Sequence, residues 1–281
     1  MSIMKKLKEY LNRPLSFAVF LLIIISTVIT ALTVVFIIGY IFIKGVPNLS
    51  LDLFSLKYSS SNQSMLPSII NTVYLTVLTL LLSVPIGIFS AIYLAEYSRK
   101  NSFFVKIINI ANETLSGIPS IVYGLFGFLA FVISKKWGYS LLAGVITLAI
   151  MVLPIIIRTS QEAMLGVDDT FREASYGLGA GKLRTVFKIV LPSAMPGILS
   201  GIILAIGRIV GETAALIYTA GTVPEAATKL TSSSRTISVH LYCLLNEGLY
   251  TKQAYATAVV LIVFVVIINA LSNALAKKIM K

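Results

Sequence analysis

Long stretches of this 281-residue chain carry almost no charge, and their length, more than any periodicity, predicts the elements. A helix needs about 20 apolar residues to cross a ~30 Å hydrocarbon core. On that basis spans fall at roughly 16–43, 67–95, 107–134, 138–157, 195–220 and 254–276. Lipid offers backbone groups no partner, so only helices or a closed barrel can span, and the runs lack a barrel's period-two alternation. The expected fold is an all-α polytopic membrane protein with six transmembrane helices. It forms a single domain over 1–281: an N-terminal span and loop in 1–66, then a five-helix core in 67–276 interrupted by a polar loop at 158–193. The first span follows Lys5, Lys6, Lys8 and Arg13 as a signal peptide would, but it is too long for an h-region and lacks a small-residue cleavage site, so it reads as a retained helix.

Composition agrees with this reading: 57% of residues are apolar and 12% charged, far from the soluble norm of about 25% charged. The net charge of +12 raises the question of a polyanionic partner, which the placement of the basic residues answers. One side of the membrane receives Lys5, Lys6, Lys8, Arg13, Arg99, Lys100, Lys106, Arg158, Arg172, Lys182, Arg184, Lys188, Lys277, Lys278 and Lys281. The other receives only Lys44, Lys57, Lys135, Lys136, Lys229, Arg235 and Lys252. The richer side carries both termini and is cytoplasmic, so the protein belongs in the plasma (inner) membrane, and nucleic acid is not needed to explain the charge. One cysteine, Cys243, and one histidine, His240, leave no intrachain disulfide and no His/Cys metal cluster. No nucleophile, base and orienting group assemble into a catalytic set, so the expectation is a non-enzyme with no cofactor of its own.

The two long loops differ in character. In the cytoplasmic loop, Asp168, Asp169 and Thr170 supply an N-cap and first-turn acids for a short helix that ends near the glycines at 177–181. Gly177-Leu178-Gly179-Ala180-Gly181-Lys182 only superficially resembles a phosphate-binding loop: the glycine spacing is one residue short, Leu183 stands where Ser or Thr would hold magnesium, and no strand precedes it. In the external loop, 230–235 reads as a mobile turn and 236–245 as a short amphipathic segment.

The fifth span contains Arg208 and Glu212, far from its ends. Each central charge costs about 2.5–3.5 kcal/mol on insertion scales, so the two need mutual satisfaction or a wet cavity. In a continuous helix their i,i+4 spacing puts them on one face, either as a structural ion pair or as an anion site in which the arginine fork meets oxyanion oxygens. Gly197/Gly201 and Gly207/Gly211 mark stripes for close helix approach. Pro85, Pro119 and Pro154 are expected kinks, and Glu113 an interfacial acid at a helix end.

Two sets of residues carry a resemblance. Glu173-Ala174-Ser175, then Gly179, then Ile189, Leu191 and Pro192, resemble the loop signature of ABC-importer permeases, with Ser175 where the pattern has Ala. The run 205–214 with Gly207, Arg208, Gly211, Glu212 and Thr213, followed by Tyr218-Thr219-Ala220-Gly221, is similar to phosphate-importer permeases of the PstA type, as is 117–127. The resemblance implies a type I ABC importer permease fold and transport of inorganic phosphate along a path lined by Arg208, Glu212 and Thr213. It also implies a coupling helix over about 170–179, with Glu173 as its polar contact and Ala174, Ser175 and Gly179 allowing close docking. The implied partners are a second homologous permease, two ATP-binding subunits that hold ATP and magnesium, and an external phosphate-binding protein. Another oxyanion such as sulfate or molybdate, an intramembrane enzyme using Glu212, and a signalling role are the competing readings.

Overall fold

A computed structural model describes residues 14–98 and 103–279. Lys5, Lys6, Lys8, Arg13, Arg99, Lys100 and Lys281 lie outside the described residues. Among the described residues the chain is helical with no strand.

Helix α1 (Pro14–Gly45) packs mainly on the last helix, and none of its apolar window is buried within the chain. Short 3-10 turns lead to α2 (Leu66–Ile92), whose final turns widen through Tyr93–Tyr97. Next come α3 (Phe103–Gly117), α4 (Ser120–Gly127, extended by wide turns to Ser134) and α5 (Leu141–Leu165). The polar loop forms α6 (Asp169–Gly177) and α7 (Lys182–Thr185), the latter running on into α8 (Leu191–Gly211). A short α9 (Ala214–Thr219), α10 (Ile237–Glu247) and α11 (Thr251–Ile279) complete the chain.

Five helical stretches are long and apolar enough to cross a membrane, six if the bent pair of α3 and α4 is one span. The expected continuous helix over 107–134 is bent by 101° at its middle. Pro119 disfavours helical geometry at Ile118, and Gly117 before it gives the helix an easy end. The Leu115 carbonyl accepts from Ile118 N–H at 3.2 Å and from the Tyr123 hydroxyl at 2.7 Å, which ties the two limbs together across the break. Pro85 and Pro154 sit inside helices that continue past them. The expected span at 138–157 runs further than its apolar residues indicate, because α5 extends through Arg158–Leu165.

Helix α5 is the centre of the bundle: it packs along α2 and α8 and also meets α3, α4 and α9. Leu148, Met151, Val152 and Ile156 of α5 bury against Leu75 of α2, Ala205 and Ile209 of α8, and Ala215 and Leu216 of α9. Gly197 and Gly201 press against Ala163 and Thr159 of α5, the close approach their spacing predicts. Gly207 and Gly211 face open space instead.

At the end opposite α6, the expected mobile turn over 230–235 is pinned. Leu141 and Leu142 donate backbone N–H groups to Ser232 and Leu230, and Ser234 donates to Ala220. The unfilled donors at the start of α5 find their partners in this loop, which removes its freedom. Asn71 of α2 reaches the same loop, donating to the Glu225 and Arg235 carbonyls and accepting from Ala227 N–H. The amphipathic segment expected at 236–245 is α10, with the Thr236 side chain accepting from Val239 N–H as its N-cap.

Candidate functional site

The helix carrying Arg208 does not continue through Glu212. It ends at Gly211, and Glu212 (φ −70°, ψ 130°) and Thr213 (φ −124°, ψ −56°) form a break before α9. Glu212 turns back, its carboxylate accepting from the backbone N–H of Ala215 at 3.0 Å. A carboxylate at a helix start satisfies a free amide and favours the positive end of the dipole, so the local capping bond wins over the i,i+4 pairing that a continuous helix would give. The ion pair between Arg208 and Glu212 is therefore not formed: Glu212 is buried as a cap and Thr213 is half-buried at the break. Gly211 before a capping acid was the available signal for this break.

Arg208, half-buried and without an acidic partner among the described residues, lines a cleft of about 650 Å³ between α8 and α11. Ser200, Ile203, Leu204 and Gly207 of α8, Ile155 of α5, and Asn269 and Asn273 of α11 form the rest of its wall. Gly207, with nothing within 4 Å of where a side chain would start, keeps the wall beside Arg208 open. Sequence reading missed Asn269 and Asn273, although two amides at i,i+4 just after the apolar run 258–268 were there to be read.

The second candidate region is α6. Asp168 caps it, accepting from Thr170 N–H at 2.9 Å, and that bond holds its carboxyl below the usual range. The chain then leaves the helix through Gly179 at φ +81°, a left-handed position where a side chain is strained, which explains the glycine at this point of the loop. Glu173 and Ala174 are exposed, whereas Ser175 turns inward and its hydroxyl meets that of Thr185 at 2.8 Å. An Ala here would leave Thr185 without that partner. Phe171 (56% exposed) and Leu178 (90% exposed) make the outer face of the region unusually apolar for a charged loop.

Arg172, which the sequence marks only as one of the cytoplasmic-side basic residues, anchors α6. Its guanidinium donates to Glu96 Oε1 at 2.7 and 3.1 Å, to the Met164 and Val167 carbonyls and to Asp169. Side-chain exposure is 13% for Arg172 and 6% for Glu96, so the pair is nearly dry, and the Glu96 carboxylate pushes the arginine's pKa up. Lys182 stacks over the Tyr97 ring at 4.9 Å. The far end of α2 is thus held to both limbs of the loop.

The family described as binding-protein-dependent transport system inner membrane component matches residues 83–281. The chain belongs to that family. Among relatives, the probable ABC transporter permease protein YqgI of Bacillus subtilis is 32% identical over 249 residues, covering 82% of this chain and 84% of that one. The phosphate transport system permease protein PstA of Yersinia pestis is 34% identical over 240 residues, covering 84% and 81%. In fold the chain is similar to a bacterial ABC transporter that imports alginate (TM-score 0.67, 18% identity, covering 99% and 100%). It is also similar to the MetNI methionine ABC transporter (TM-score 0.58, 16% identity, covering 76% and 94%). This binding-protein-dependent permease is a multi-span inner-membrane subunit of an ABC importer, with the all-α fold of such permeases.

Proposed function

We propose that this permease carries inorganic phosphate and that Arg208 contacts the anion in the α8–α11 cleft. The observation that carries the reading is a guanidinium that meets no carboxylate among the described residues, in an open cleft of a membrane-spanning bundle. Such a charge is costly unless water or a ligand meets it, and its planar fork of donors matches phosphate oxygens. The PstA relatives favour phosphate over other oxyanions. Glu212 supports the site indirectly, by fixing the helix break that ends α8 one turn beyond Arg208, with Thr213 in the same break. Sulfate or molybdate is the competing cargo within the same chemistry.

The same reading places both termini and α6 in the cytoplasm, with α6 as the coupling helix. Its exposed apolar residues and Glu173 would rest on one of two ATP-binding subunits, which hold ATP and magnesium, while Arg172 transmits the push to α2. Ala174 is free to allow close docking; Ser175 and Gly179 shape the loop from within. A second, homologous permease completes the path, and an external binding protein delivers the anion. The signature pattern of Glu173 to Pro192 and the family supports this assembly.

Phosphate uptake by the assembled importer carrying Arg208→Gln tests the reading. Uptake is expected to fall at least about 100-fold, the scale of a lost charge-assisted contact of roughly 3 kcal/mol, with the subunits still co-purifying. Normal uptake would remove the anion role. Competition by arsenate but not sulfate is expected for the wild type, and the reverse would transfer the site to sulfate.

A further inference from the structure

We propose that Asn269 and Asn273 form the neutral half of the oxyanion site whose charged half is Arg208, an inference that rests on the phosphate reading above. Both lie in α11, one helical turn apart, and both line the cleft that Arg208 lines from α8. Neither amide has a hydrogen-bond partner within the described residues, and the two are what this helix contributes to the wall. An amide facing hydrocarbon with nothing to bond is unfavourable, so two of them on one face point to a wet surface or a polar ligand.

The chemistry of the wall narrows the ligand. Arg208 can only donate, and among the described residues no carboxylate lines the cleft to repel an anion. The Ser200 hydroxyl donates within its own helix to the Pro196 carbonyl at 2.9 Å, which leaves its oxygen to accept. Each asparagine offers two N–H donors and a carbonyl acceptor, so the pair can meet P–O⁻ oxygens and a P–OH hydrogen alike. Phosphate carries one or two protons across the neutral range, and a neutral amide accommodates both forms. A second cation in place of these amides would hold the dianion more tightly and slow its release. One charge with two neutral partners replaces part of the ion's hydration without trapping it.

The experiment is radiolabelled inorganic phosphate uptake by the assembled importer in vesicles, with Asn269→Leu, Asn273→Leu, Asn269→Ser and Asn269→Asp compared with wild type. Each Leu variant is expected to lower uptake about ten-fold, the loss of one hydrogen bond to a charged group, and Ser to restore part of it. The Asp variant, close in volume, is expected to lose uptake more severely above neutrality, where the dianion dominates, than below it. Ionisation of the introduced carboxyl can also loosen packing, so the yield of assembled complex is read at both pH values and is expected to stay level while uptake falls. Leu variants that transport normally, or an Asp variant whose deficit is the same at both pH values, would overturn the proposal. So would Leu variants that lose the second permease on purification while Ser and Asp transport normally, because the amides would then be bonding that subunit. If Arg208→Gln abolishes uptake and the asparagine variants are silent, this inference alone fails. If Arg208→Gln is silent as well, the phosphate reading fails with it.

Discussion

Arg208 and Arg172 each stand near a glutamate, and their fates are opposite. Arg208 has Glu212 four residues away along the chain, yet the helix ends between them and Glu212 caps α9. Arg172 keeps its near neighbour, the exposed Asp169 three residues back, and also meets Glu96, 76 residues distant, in a nearly dry ion pair backed by two carbonyls. The satisfied arginine fixes the loop to the bundle, and the unsatisfied one faces a cleft. A guanidinium whose donors are all engaged has a structural role, whereas one left open has donors to offer a ligand.

Breaking the engaged pair is the largest perturbation available. Arg172→Met leaves Glu96 buried without a cation and is expected to lower the stability of the purified complex by on the order of 3 kcal/mol, read as thermal melting. The reversed pair, Arg172→Glu with Glu96→Arg, should recover part of that loss; equal melting of wild type and Arg172→Met would show that the pair stabilises nothing.

His240 extends the comparison to a group that burial has discharged. It is fully buried on α10 beside Arg235, and desolvation first, then that arginine, pushes its pKa down from 6.5 to about 3. The unfolded imidazole takes up a proton below pH 6.5 that the folded one refuses until about pH 3. Stability contributed by this region is therefore full above 6.5 and falls on acidification, by up to about 1.4 kcal/mol per pH unit through that window. His240→Gln should flatten the acid limb of a melting-versus-pH series, and an unchanged limb would assign the acid sensitivity elsewhere.

Smaller effects separate a cap from an ion pair at Glu212. Glu212→Gln retains an oxygen to accept from Ala215 N–H and should melt close to wild type, whereas Glu212→Ala is expected to lose about 1 kcal/mol. Equal losses in both would favour charge pairing over capping. Smallest of all, Arg208→Met is expected to change stability by less than about 0.5 kcal/mol, since no pair is broken, while uptake collapses. A melting loss as large as that of Arg172→Met would erase the contrast between the two arginines.

Much of the α6 region is legible in the sequence. Asp168, with Asp169 and Thr170, is among the expected cap and first-turn residues, Gly179 falls in the expected break at 177–181, and the Glu173 to Pro192 spacing lies where the short helix and the start of α8 form. Capping and turn preferences act within a few residues, so the local sequence suffices to express them. The errors were of the opposite kind. Continuous helices were expected over 107–134 and 195–220 because apolar runs hide breaks: hydropathy is blind to Ile118 before its proline and to Glu212 folding back on Ala215. The loop at 230–235 looked mobile because its serines are polar, while the start of α5, far off in sequence, held its backbone in place.

The membrane class, the approximate spans, the loop signature and the presence of one arginine deep in the fifth span follow from the order of residues alone. Length of an apolar run and the chemistry of a few neighbours decide those features. Which glutamate meets which arginine, which glycines are pressed against α5 and which stay open, and the meeting of Asn269 and Asn273 with Arg208 across one cleft were decided by the tertiary structure. Each depends on surfaces from distant segments competing for the same polar groups, and that competition is settled only when the helices pack.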